Sequence, residues 1–132
     1  MKINTIRPVY VESFPTMLED GVLYISRRFN TACHRCFCGC ETKIVTPLRA
    51  TEYRLTDTGG KVTLYPSVGN WNHRCRSHYV IRNGEVLQAG SMTQAEIDDG
   101  RACDEAQKSA YYNRATGTFL AHVWRWINRM LQ

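Results

Sequence analysis

The strongest constraint on this chain is a pair of donor-rich segments that any fold must bring together or leave unexplained. The first is His34-Arg35-Cys36-Phe37-Cys38-Gly39-Cys40, and the second is Cys75-Arg76-Ser77-His78. Thiolate and imidazole suit a borderline-soft cation such as Zn²⁺, and closed tetrahedral sites take their ligands from separate segments. A bound metal would tie together strands that the chain itself joins only through a long excursion.

The rest of the composition is compatible with that reading. A length of 132 residues fits one domain, with 43% hydrophobic and 22% charged residues, both ordinary for a globular protein. The N-terminal Met1-Lys2-Ile3-Asn4-Thr5 lacks the apolar core of a signal peptide, and no stretch approaches membrane-spanning length. The expectation is a cytoplasmic protein with no membrane partner. Thiols stay reduced there, so closely spaced cysteines read as metal ligands before disulfides. The net charge of +5 permits an acidic partner without demanding one, and the basic residues are scattered, with no like-charge run.

Residues 1–92 read as β-rich and 93–132 as a helical C-terminal segment, together one domain. Val22-Leu23-Tyr24-Ile25 is an apolar run suited to a buried strand. Residues 51–56 and 61–65 flank Asp57-Thr58-Gly59-Gly60, a hairpin signature. Residues 78–82 and 85–89 flank Asn83-Gly84, whose tolerance of positive φ suits a type I′ turn. Pro66, Gly69 and Asn70 mark residues 65–77 as an ordered loop. Thr93 followed by Glu96 is a capping-box pattern. It predicts a helix running toward Tyr112, weakened by Gly100, and a second helix is expected over 118–131. In that second helix Phe119, Val123, Trp126, Ile127 and Met130 form one apolar stripe expected to pack on the sheet.

If residues 33–38 are extended, His34, Cys36 and Cys38 point to one face, and Gly39 lets the backbone turn so that Cys40 swings back. The C-x-x-H spacing of Cys75 and His78 lets both reach one metal. Six candidates exceed the four ligands of a closed site. Cys38, Cys40, Cys75 and His78 rank first, with Cys36 and His34 as alternates and about one Zn²⁺ per chain. Four protein ligands make a structural site, whereas three plus water make a catalytic one. For water activation Glu41 and Glu52 are the candidate bases, each also readable as a surface carboxylate. Ser67 and Ser77 are candidates to orient substrate or act as nucleophiles, and neither lies in a G-x-S-x-G context. Cys103 reads as a packing residue without a metal role.

The ordered blocks Gly21-Val22-Leu23-Tyr24-Ile25-Ser26, Thr31-Ala32, His34-x-Cys36-x-Cys38-Gly39-Cys40, Val45-Thr46-Pro47-Leu48, Thr63-Leu64-x-Pro66-Ser67-Val68-Gly69-Asn70-Trp71 and Cys75-Arg76-Ser77-His78-Tyr79-x-Ile81 resemble a small bacterial and phage family. Its members recur beside ubiquitin-like proteins and E1- and E2-like enzymes in Bub-type bacterial conjugation operons. They are regarded as peptidases that process or release the ubiquitin-like protein. Stand-alone phage or prophage members also exist. This chain departs from the pattern at Glu41, where many members have Gly, and at Tyr53, where many have Trp.

The expectation is therefore an α+β protein, a zinc-stapled antiparallel β core with two C-terminal helices. The resemblance implies a peptidase-type hydrolase acting on a protein partner, with a ubiquitin-like protein as its substrate class. The expectation is a zinc-dependent one in which zinc activates water, Glu41 or Glu52 is the base and Ser67 or Ser77 orients substrate. The donor clusters imply Zn²⁺ as the cofactor. The alternative is a non-enzymatic zinc module with a closed site that binds protein or nucleic acid, using Trp71 and the His73-Arg74-Cys75-Arg76 stretch. A metal-free dithiol redox protein is a third reading.

Overall fold

A computed structural model describes residues 1–131. They fall into two compact units, Met1–Ser91 and the residues from Met92 onward. The first unit holds eight strands: β1 Arg7–Tyr10, β2 Val22–Ser26, β3 Thr31–Arg35, β4 Lys43–Pro47, β5 Arg54–Thr58, β6 Lys61–Gly69, β7 His78–Arg82 and β8 Glu85–Gln88. One sheet has the order β1-β2-β3-β4 and the other the order β5-β6-β7-β8. All pairings are antiparallel except β1 with β2.

The apolar residues explain how the sheets meet. Leu23, Ile25, Ala32 and Ile44 of the first sheet share one buried cluster with Val62, Leu64, Val68, Tyr79, Ile81 and Val86 of the second. Along β6 and β7 these inward residues alternate with more exposed ones, as period two requires. His78 and Val80 therefore belong to the outward face of the second sheet, while Tyr79 and Ile81 belong to the core.

Both expected hairpins form. β5 pairs with β6 around Gly59 and Gly60, which take φ of +60° and +84°. The Asp57 carboxylate accepts from Gly60 N–H at 2.9 Å and closes the turn. β7 pairs with β8 around Asn83 and Gly84, with φ of +49° and +77°.

Two expectations need correction. Residues 65–77 are not all loop, because β6 continues through Pro66 to Gly69. The register with β7 shifts between Leu64 and Val68, and such an irregularity accommodates a proline that lacks a ladder donor. Ser67 thus sits on a strand, within its irregular part. The C-terminal segment is one helix, α1 Gln94–Met130, rather than two. Its capping box is complete: Thr93 Oγ1 accepts from Glu96 N–H and the Glu96 carboxylate accepts from Thr93 N–H. Gly100 and Gly117 each weaken a helix by about 1 kcal/mol, but no proline follows to stop it. Phe119, Trp126 and Met130 are more than half exposed. No described helix is long and apolar enough to cross a membrane.

Candidate active site and metal centre

The thiol cluster is built by two turns, one from each sheet. The first begins where β3 ends at Arg35. Cys36 N–H donates to Thr42 O at 2.8 Å, and Gly39 N–H donates back to Cys36 O at 3.1 Å. Gly39 at φ +93° makes the reversal, so Cys36, Cys38 and Cys40 line the inside of one tight turn. The second turn leaves β6 after Gly69. Asn70 N–H donates to Ser77 O at 2.8 Å, which closes the excursion and returns Cys75 beside the first turn.

The sulfurs of Cys36, Cys38, Cys40 and Cys75 all lie within 4.8 Å of one another, and this group could hold a metal ion. Cys36 Sγ is 3.4 Å from Cys38 Sγ and 3.9 Å from Cys75 Sγ. A tetrahedron with Zn–S bonds of about 2.3 Å has edges of about 3.8 Å, so the spacing fits. All six cysteines are free thiols. Burial and the neighbouring Cys36 thiol push Cys38 up to about 12. Burial also pushes Cys40 up, but hydrogen bonds with the Thr42 side chain and backbone, and with Cys38 and Cys75, outweigh it and bring Cys40 down to about 6. Four crowded thiols resist sharing negative charge unless a cation neutralises them.

Ser77 and Asn70 complete this centre from the second sheet. Ser77 Oγ accepts from Asn70 Nδ2 at 2.9 Å, which leaves its own proton for Cys36 Sγ at 3.1 Å or Cys75 Sγ at 3.3 Å. Ser77 is buried in this network, with its hydroxyl turned to the sulfurs. Ser77→Ala is expected to weaken metal affinity about 10- to 100-fold, read by competition with a chromogenic chelator.

The two histidines lie outside the thiol group. His34 is fully buried, stacked on Phe37 at 4.3 Å, with its Nε2 hydrogen-bonded to the Tyr79 hydroxyl at 2.7 Å. Burial lowers its pKa to about 3 and keeps the ring neutral. His78 sits between two oxygens. Its Nδ1 is 2.8 Å from Gly90 O and its Nε2 is 2.8 Å from Ser67 Oγ. A carbonyl oxygen can only accept, so Nδ1 carries the proton. Nε2 is then the free base that accepts from the Ser67 hydroxyl. The result is a hydroxyl, a base and an orienting group in line, the arrangement that activates a serine.

Trp71 covers the imidazole, with ring centroids 5.0 Å apart. Gly69 makes room for it, because a Cβ there would come within 2.5 Å of Trp71 Nε1. A cavity of about 310 Å³ adjoins the site, lined by His78, Ser77, Cys38 and Cys75 among others.

The remaining candidates fall elsewhere. Glu41 pairs with Arg35 at 2.8 Å on the surface. Glu52 lies in the turn before β5 and is outside the thiol group. Cys103 is exposed on α1. Gly90 carries no sequence signal, because its contact with His78 Nδ1 is made by a backbone carbonyl that any residue would supply. Asn70 and Tyr79 likewise become visible only when the sheets are assembled.

No curated protein and no solved structure matches the chain. The family model described as the bacterial ubiquitination-like system serine protease, BubE, matches residues 10–89, a span that holds Ser67, His78 and all four clustered cysteines. That match covers more than half of the sequence, and the chain belongs to the BubE family.

Proposed function

We propose that this protein is a serine peptidase in which Ser67 is the nucleophile and His78 the general base. The observation that carries this reading is His78 held at 2.8 Å from both Ser67 Oγ and Gly90 O. As Ser67 Oγ bonds to the substrate carbonyl carbon, its proton passes to His78 Nε2, and the Gly90 carbonyl stabilises the imidazolium through Nδ1–H. His78 then returns the proton to the leaving amine as the C–N bond breaks, leaving an ester on Ser67. Water attacks that ester, gives its proton to the same nitrogen and frees the serine.

The thiol group supports a structural role for a metal. Cys36, Cys38, Cys40 and Cys75 are a four-thiolate set, the composition of closed zinc sites, and zinc held there would supply a cross-link between the two sheets. In this reading His78 is a base rather than a ligand, and no water-activating carboxylate is required. Membership of a ubiquitination-like family supports a ubiquitin-like protein as substrate.

The test is intact-mass spectrometry of a ubiquitin-like protein extended at its C-terminus by a peptide tail. Wild-type protein is expected to release the tail and His78→Gln to leave it attached. Equal release by both would sink the proposed dyad.

A further inference from the structure

We propose that Arg76 and Lys2 form a carboxylate-binding subsite on the leaving-group side of the Ser67–His78 pair, an inference that rests on the peptidase reading. The cavity beside His78 is also lined by Lys2, Arg76, Gln88 and Ser91. No carboxylate is among its lining residues, and Lys2 and Arg76 bring positive charge to it beside the sulfurs of Cys38 and Cys75.

Both cations are positioned by named contacts. Arg76 takes φ +44°, a backbone conformation uncommon for a non-glycine residue. Its Nη1 donates to Trp71 O at 3.2 Å, and its guanidinium lies 5.6 Å over the Trp71 ring. The other guanidinium N–H groups remain available to an acceptor. Lys2 runs its aliphatic stem across Gly39, where a Cβ would come within 2.5 Å of Lys2 Cδ. The same glycine that turns the thiol loop therefore makes room for the Lys2 stem, and Lys2 lines the cavity.

The side of the substrate follows from the proton path. His78 gives its proton to the departing amine, so the residue carrying that amine must lie against His78. The cavity is lined by His78 and not by Ser67, so it lies on the base's side of the pair, and the departing segment is assigned to it. A carboxylate there would meet a planar guanidinium and an ammonium together. It could be an acidic side chain just after the scissile bond or the free C-terminus of a short departing tail. The competing role for these cations is to offset charge on the neighbouring thiolates.

The experiment uses metal-loaded Ser67→Ala protein, which binds without turnover, so its outcome does not depend on whether Ser67 is the nucleophile. Gly-Asp-Gly amide, Gly-Asn-Gly amide and Gly-Gly-Gly with a free carboxylate are titrated while the Arg76 side-chain N–H signals are followed by NMR at low salt. At least one carboxylate peptide is expected to shift these signals saturably, about fivefold to tenfold more tightly than the Asn amide. Preference for the Asp amide identifies a side chain, and preference for the free acid identifies a chain terminus. Arg76→Asn, which tolerates the positive φ, and Lys2→Gln are each expected to reduce the discrimination. Equal shifts with all three peptides would overturn the subsite. So would loss of metal affinity in Arg76→Asn and Lys2→Gln with unchanged peptide discrimination, since the cations would then serve the thiolates alone.

Discussion

Ser67→Ala is expected to lower peptide-bond hydrolysis by roughly 10⁴-fold, because removing one member of a nucleophile–base unit disables the unit. His78→Ala should fall to a similar level, and the double variant should be little worse than either single one. The more telling result is what these variants keep. Ser67 and His78 lie on the outward face of the second sheet, apart from the thiol group. Metal content is expected to stay at one ion per chain and the melting temperature to move by only a few degrees. Paired kinetics, elemental analysis and thermal melts on the same preparations read all three. Loss of the metal in His78→Ala would restore the ligand role that its C-x-x-H spacing implies.

Cys75→Ala is expected to do the reverse of His78→Ala. Cys36, Cys38 and Cys40 follow a strand of the first sheet, and Cys75 precedes a strand of the second. A metal on these four sulfurs joins the sheets across a separation of 39 residues between Cys36 and Cys75. Its binding free energy is then part of the folding free energy. Losing one thiolate should lower the melting temperature by at least ~10 °C and release the metal. Chelation of the wild-type protein should produce the same shift. Cys103→Ala, at an exposed position on the helix, should change neither quantity. An unaltered melt after complete metal removal would show that the shared apolar core holds the sheets without the staple.

The parts of this molecule that sequence reveals are those decided locally. Asn83-Gly84 and Gly59-Gly60 announce their turns because positive φ is a property of those residues themselves. The capping box at Thr93 and Glu96 marks the helix start for the same reason. The helix end was harder to read, because glycine lowers stability without removing a hydrogen bond, and Gly117 therefore resembles a break without being one. The thiol group was legible as a set of donors but not as a set of four. A period-two reading puts His34, Cys36 and Cys38 on one face. The strand instead ends at Arg35, leaving His34 turned into the core against Tyr79 while the chain coils its cysteines together.

The Ser67–His78 pair depends on information that a linear reading does not contain. Pro66 argues for a loop, yet the register shift between Leu64 and Val68 lets β6 carry on, and the irregular strand aims Ser67 at a residue eleven positions away. The proximity of Cys75 in sequence draws His78 toward the metal reading. What separates them is the sheet itself: His78 opens β7 facing outward, whereas Ser77, one residue earlier, is buried against the sulfurs.

The most direct measurement of the central claim is covalent labelling with a fluorophosphonate, which phosphonylates serines made nucleophilic by a neighbouring base, followed by peptide mapping. The account predicts a single adduct on Ser67, abolished in His78→Ala and retained in metal-loaded Cys103→Ala. An adduct on Ser77, or labelling of Ser67 that persists undiminished in His78→Ala, would contradict it.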